Sequence, residues 1–295
     1  MHYARLFFIT ALVIAVVTVL FFWVFPGDVI LPQNFAVLGL RVQYYGLIMG
    51  LAVLSAYTLA LHRAKDYSLT KDQVESIALA LIIGGFIGAR LYHVASSWEY
   101  YLASPSEIVM VWNGGLSIFG AVLGGLLALW LARRYLALKI PMSQLLDWLV
   151  PSLVLGQIIG RFGNLFNYEA YGAATNLPWA MFVPVQFRLP VVWAQSYFHP
   201  LFLYEALAGL LILVILLNFA GLAKKWPWLK FSGSLFWFWV GSYGFVRIFT
   251  EYLRLDSPYV GAYKQNLLVA CAMLLIAIII YLRHYIHERL ESKSA

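Results

Sequence analysis

Apolar residues fall in long blocks along the chain, and polar residues gather between them. The blocks cover 6–25, 42–62, 76–97, 114–132, 145–166, 201–221, 233–253 and 265–283. A helix needs roughly 20 apolar residues to cross a bilayer. A β-barrel would instead show short strands of alternating polarity. Stretches such as 11–24 and 267–282 do not alternate. The pattern predicts an all-α, polytopic membrane protein with eight candidate transmembrane helices, seven of them after an N-terminal one, and a Pro-rich outer loop. The first block has a basic flank at Arg5 and reaches Pro26 without a small-x-small cleavage motif. An uncleaved helix is therefore expected there in preference to a signal peptide. Residues 1–35 read as this helix with its outer linker, and 36–295 as the membrane-embedded body.

Composition narrows the class. Of 295 residues, 63% are hydrophobic and only 11% charged, less than half the share in ordinary soluble domains. A soluble enzyme, a disordered chain and a coiled coil are excluded. The net charge of +7 is spread along the chain and does not form the basic patch that nucleic acid requires. Its use is topological. With the N-terminus inside, thirteen Lys and Arg side chains flank the inner ends of the blocks. Four (Arg41, Arg188, Arg254 and Lys264) flank the outer ends, and Arg90, Arg161 and Arg247 lie within blocks. Both termini are expected in the cytoplasm, with loops 26–41, 98–113, 167–200 and 254–264 outside. One cysteine, Cys271, excludes a disulfide framework, and its place in the last block predicts burial. No metal or organic cofactor is implied.

Small residues recur four apart at Gly46/Gly50, Gly84/Gly88, Gly120/Gly124 and Gly156/Gly160, a spacing that lets helix backbones approach closely. Loop 167–200 holds Pro178, Pro184, Pro190 and Pro200 with Trp179 and Trp193. It predicts a small cap or an interfacial loop, or else a plain connection with Trp anchors.

The charges inside the blocks carry the functional signal, because one near the bilayer centre costs roughly 2.5–3.5 kcal/mol on insertion scales. Arg161, Asn164 and Tyr168 share a helical face if the helix continues so far, with Asn167, Glu169 and Gly172 just beyond. An arginine beside amides suits a phosphate or carboxylate; an Arg161–Glu169 ion pair is the plainer reading. Tyr243, Arg247, Glu251 and Arg254 form one stripe on an aromatic helix, in which Arg247 and Glu251 can pair. His199 and Pro200 precede Tyr204 and Glu205; Glu205 suits a helix N-terminus or an arginine partner, and His199 a general base. Tyr45 opens the second block, and Gly114 with Gly115 opens the fourth, where backbone N–H groups can meet an anion. All lie toward the outer side, which predicts one outward-facing intramembrane cavity for an anionic amphiphile. No Ser-His-Asp spacing or Walker loop is present.

These residues resemble the prolipoprotein diacylglyceryl transferase family. Arg161-x-Gly163-Asn164, then Asn167-x-Glu169 and Gly172, matches a dense family pattern. Tyr45-Gly46, His199-Pro200, Tyr204-Glu205, and Tyr243-Gly244 with Arg247, Glu251 and Arg254 match further parts. Two departures stand out. Phe119 occupies the place of a family histidine often proposed as a base, and block 6–25 precedes the usual core.

The resemblance implies transfer of a diacylglyceryl group from phosphatidylglycerol to the lipobox cysteine thiol of an exported prolipoprotein, with release of glycerol phosphate. It implies a bacterial cytoplasmic membrane, with membrane lipids and the precursor's signal peptide as partners. On this reading Arg161 and Arg247 hold the phosphate, Asn164 donates to it, and Glu169 and Glu251 orient the arginines. Tyr45 and Tyr243 line the headgroup site. With Phe119 in place, His199 or Glu205 becomes the base, or the arginine field alone lowers the thiol pKa. An anionic-lipid transporter and a non-catalytic lipid-binding relative are the competing functions.

Overall fold

The computed structural model describes residues 17–294, with side chains to Leu290. Most of the expected first helix, residues 6–16, lies outside the described residues. Its end is helical and closes in a π-helical turn, Leu20–Val24. The long helices are α1 Tyr44–Arg63, α2 Lys71–Ser96, α4 Ile118–Tyr135, α5 Met142–Asn167, α6 Leu201–Leu217, α8 Ser234–Leu253 and α9 Gln265–Ser294. Two short helices, α3 Trp98–Ala103 and α7 Phe219–Lys225, follow α2 and α6. Three two-stranded antiparallel ladders decorate the loops: β1 Asn34–Val37 with β2 Leu40–Gln43, β3 Met181–Phe182 with β4 Tyr197–Phe198, and β5 Tyr259–Val260 with β6 Tyr263–Lys264.

Each apolar block from 42 onward thus contains a helix, and the fold is that of a polytopic membrane protein. Five described helices are long and apolar enough to cross a bilayer, or six if α6 and α7, bent by 59°, form one span. α8 has the length, but its Trp, Tyr, Gly and Ser residues and its buried Arg247 and Glu251 make it less apolar. Leu79, Leu127, Leu211 and Ile279 stay exposed, as side chains facing lipid tails do.

Contacts divide the chain into two compact units, residues 57–149 and residues 1–56 with 150–295. In the 57–149 unit, α2 starts at a capping box: Thr70 accepts from the Gln73 amide while Gln73 accepts from the Thr70 amide. α2 and α4 cross at the predicted glycines. A Cβ on Gly88 would stand 2.7 Å from the Gly124 Cα, so only glycine permits this approach. Val74, Ile77, Leu129, Leu145 and Trp148 form the unit's core, and the Trp148 indole donates to the Ala60 carbonyl at 3.0 Å.

In the other unit, Gly156 and Gly160 face Ala56 and Met49 at ordinary contact distance, while Gly46 and Gly50 meet nothing within 4 Å. That last pair corrects the spacing argument: small residues permit close packing but do not require it. α8 and α9 meet where Gly241 faces Ala277 and Gly244 faces the Ala270 carbonyl. Loop 167–200 builds a cap with its own core. Tyr171, Met181, Val183 and Phe198 pack with Phe202 and with Leu20, Val24 and Phe25 of the N-terminal segment. Cys271 is exposed on α9, contrary to the expected burial, because its helix turns that face outward.

Candidate functional site

Three helices of the larger unit bring charged side chains together. Glu205, in the second turn of α6, forms ion pairs with two arginines. Its Oε2 lies 2.6 Å from Arg161 Nη2 of α5, and its Oε1 lies 2.6 Å from Arg247 Nη1 of α8. Arg247 also donates through Nη2 to Glu251, one turn further along α8. The run Arg161–Glu205–Arg247–Glu251 therefore alternates in sign and sums to zero. Buried charges need this: an unpaired one pays a desolvation cost of several kcal/mol. The side chains of Glu205 and Glu251 are 4% and 0% exposed, while Arg161 keeps 22%. A small cavity of about 20 Å³ adjoins the run, lined by Gln157, Arg161, Glu205, Trp239 and Tyr243 among others. It has room for a water molecule but not for a lipid headgroup.

The alternative ion pair of Arg161 with Glu169 is not formed, since Arg161 pairs with Glu205. Glu169 is exposed and accepts from the Asn167 amide at 3.2 Å. The reason lies in the backbone. α5 ends at Asn167, and Tyr168 and Ala170 both take φ of 54°, in the left-handed region that costs a side-chain-bearing residue energy. The chain turns away, so Tyr168 leaves the Arg161 face and binds the Leu31 amide through its hydroxyl at 2.7 Å. Asn164 stays on the helix, half-buried, and its side-chain amide makes no hydrogen bond among the described residues. Gly163 makes room for Tyr45, since a Cβ there would stand 2.8 Å from the Tyr45 ring. The Tyr45 phenol thereby comes within electrostatic reach of Arg161 and Glu169.

Beyond the turn, the Gly172 segment ties the site's outer parts together. Gly172 N donates to the His199 carbonyl at 2.9 Å, and His199 N donates back to Ala173 at 3.1 Å. On its other side Gly172 bridges Arg254, and Ala173 N donates to the Leu253 carbonyl at 2.8 Å. A Cβ on Gly172 would press on His199 and Leu201. Arg254 is the residue after α8 and has extended ψ, so it departs from the Tyr243–Arg247–Glu251 stripe. It pairs with Asp256 at 2.7 Å. Tyr243 stacks on Trp239 beside the small cavity.

His199 Nδ1 lies 3.1 Å from the Tyr204 hydroxyl, which accepts a 2.7 Å hydrogen bond from the Trp179 indole. Burial pushes the His199 imidazole below its ordinary pKa of 6.5. The ring is therefore neutral at pH 7.

Gly114 and Gly115 belong to the 57–149 unit. Both have positive φ, 89° and 74°. The turn is clamped by buried Arg90, which donates to the carbonyls of Gly114 at 2.6 Å and of Gly115 and Ile108 at 2.9 Å, and also to Glu107. Arg90 is thus a structural clamp. The imidazole of His93, one turn along α2, lies against Gly115, where a Cβ would stand 2.7 Å from Nε2. Phe119 sits beside Tyr92, with centroids 6.1 Å apart. The sequence reading passed over His93, and its three-residue offset from the intramembrane Arg90 is the signal that could have found it.

Comparison with known proteins adds a family. A family model described as prolipoprotein diacylglyceryl transferase matches residues 32–283. Three relatives are named phosphatidylglycerol–prolipoprotein diacylglyceryl transferase. The one from Trichormus variabilis is 39% identical over 244 residues, which is 82% of this chain and 83% of the relative. That from Synechococcus elongatus is 44% identical over 229 residues, 76% and 77% of the two chains. That from Thermotoga maritima is 36% identical over 255 residues, 86% and 85%.

Proposed function

The chain belongs to the prolipoprotein diacylglyceryl transferase family, and on that premise we propose a mechanism centred on Arg161, Glu205 and Arg247. The protein is a multi-pass membrane transferase that moves a diacylglyceryl group from phosphatidylglycerol to a prolipoprotein. The acceptor is the lipobox cysteine thiol in the signal peptide of an exported precursor. The membrane is the bacterial cytoplasmic membrane, with both termini inside and the site open to the outer side. Residues 36–295 form the transferase body, and 1–35 its N-terminal helix and linker.

The observation that carries the mechanism is the sharing of Glu205 by two arginines, 2.6 Å on each side. The carboxylate sets both guanidiniums at one place and leaves most of the Arg161 N–H donors for a phosphate. Glu205 is accordingly a poor base, because both its oxygens serve cations. His199 takes the thiol proton in the tautomer whose Nδ1–H donates to Tyr204, which leaves the lone pair of Nε2 free. The thiolate attacks the glyceryl carbon that bears the phosphate. The carbon–oxygen bond breaks, and its electron pair leaves on the phosphate oxygen, where the arginines stabilise the charge. That oxygen takes up the proton as glycerol phosphate departs.

Asn164 supplies a further donor to the phosphate. Tyr45 and Tyr243 border the headgroup. Asn167, Glu169, Gly172 and Arg254 shape the outer rim. The Gly114–Gly115 turn is a separate substrate-binding element.

Purified protein in phosphatidylglycerol vesicles tests this with a lipobox peptide. The peptide is expected to gain one diacylglyceryl mass on its cysteine. Arg247→Ala is expected to lower transfer about 100-fold, the scale of losing one preorganised donor. Full transfer by that variant sinks the phosphate role of the pair. Lipid movement across the vesicle without peptide modification would favour a transporter.

A further inference from the structure

Glu251 is the most enclosed charged group among the described residues, at 0% exposure. Arg247 serves only one of its oxygens. The other, Oε1, accepts from the Ser257 hydroxyl and, at 3.2 Å, from the Asn266 amide. Ser257 lies in the loop after α8, and Asn266 is the second residue of α9. From β6, Lys264 Nζ donates to the backbone carbonyls of Glu251 at 2.8 Å and Arg254 at 2.5 Å. Those carbonyls end α8, where a helix has acceptors to spare and favours a cation.

Two segments outside the arginine cluster, the Ser257 loop and the start of α9, therefore donate to one carboxylate oxygen, while Lys264 holds the backbone beside it. Left without donors, a buried carboxylate oxygen costs free energy and the side chain turns to find a partner. Arg247 would then lose one of its two anchors and keep only Glu205.

We propose that Asn266, assisted by Ser257, is a positioning residue for diacylglyceryl transfer: it fixes the Glu251 carboxylate, and through it the pose of the Arg247 guanidinium. The inference rests on the phosphate role of Arg247 given above. Asn266 touches no substrate and acts through Glu251.

A single-atom exchange tests it. Asn266→Asp replaces the donating NH₂ with an oxygen of the same size. Two carboxyls at this distance share one proton readily and repel when both are ionised. The other charged groups around them are Arg247 of α8, Arg254 just after it, Glu205 of α6 with its Arg161, Lys264 of β6, and Asp256.

Transfer is measured with the full chain in phosphatidylglycerol vesicles from about pH 5 to about pH 8, as a ratio to the unmodified protein. Asn266→Asp is expected near the unmodified rate at the acid end and about tenfold lower at the alkaline end, reversibly on returning the pH. Asn266→Ala is expected to lower kcat about tenfold at every pH, with a smaller change in KM for the lipid. Ser257→Ala, which removes one hydroxyl, is expected to lower kcat several-fold.

A flat ratio for Asn266→Asp overturns the proposal, and so does an unmodified kcat in Ser257→Ala. If the unmodified protein transfers nothing, the functional reading itself falls and the inference with it.

Discussion

Arg247 of α8 and Glu205 of α6 meet at 2.6 Å across 42 residues of chain, both nearly out of reach of solvent. The contact fixes the angle at which two helices present their charges, and Glu205 extends it to Arg161 of α5. Removing the negative charge while keeping the shape is the informative change. Glu205→Gln leaves two guanidiniums with a net charge and one amide oxygen between them. Breaking a buried pair costs about 3–5 kcal/mol, so unfolding in detergent is expected at distinctly lower temperature. Transfer is expected to drop at least about 100-fold, since each tenfold loss corresponds to about 1.4 kcal/mol of barrier. Equal turnover in Glu205→Gln and the unmodified protein would remove Glu205 from the phosphate site.

The pH dependence of transfer follows from His199. A base must be unprotonated to act, and burial places the His199 pKa below 6.5. The imidazole is charged below its own pKa and neutral above it. Activity therefore rises with pH through a midpoint lower than 6.5. His199→Gln should lower kcat/KM by a factor of about 100 or more and erase that acid limb. An acid limb that persists in His199→Gln belongs to another group.

Much of this was legible in the sequence, and the physics explains where legibility ends. Apolar runs locate helices because the bilayer demands them over a fixed length. The Arg247–Glu251 contact follows from a four-residue offset on one helix. Gly88 and Gly124 likewise announce a close crossing. Spacing says nothing about partners on other helices, so Glu205 was one option among several for Arg161, and the Glu169 alternative failed. The failure came from the left-handed turn at Tyr168 and Ala170, two residues with no special tendency toward it. Local sequence does not encode that turn; contacts such as Tyr168 with Leu31 hold it. Asn266 and Ser257 carried no signal at all, being ordinary polar residues at a loop and a helix start.

In the 57–149 unit, stability depends on Arg90. Its guanidinium serves the carbonyls of Glu107, Ile108, Gly114 and Gly115, so four acceptors depend on one side chain. Arg90→Met keeps the stem and removes every donor. These part-buried acceptors can turn to water when left bare, so a total loss of about 1–3 kcal/mol is expected. Arg90→Lys should recover only part of it, because a single ammonium cannot span the fork. Thermal unfolding in detergent measures both. A Met variant as stable as the unmodified protein would mean that the loop holds itself.

Phe119 provides the last test, since it departs from the family pattern where a histidine is often proposed as the base. Its ring leans on Tyr92 of α2, a packing role that histidine fills nearly as well. If His199 takes the proton, Phe119→His adds a second imidazole to a reaction that already has one. Transfer should then stay within about threefold of the unmodified rate, a change of under 1 kcal/mol in barrier. The decisive comparison is the double variant His199→Gln/Phe119→His. It should be as slow as His199→Gln alone. Recovery of transfer in the double variant would assign the base function to position 119, with His199 left to hold the Gly172 segment through its backbone.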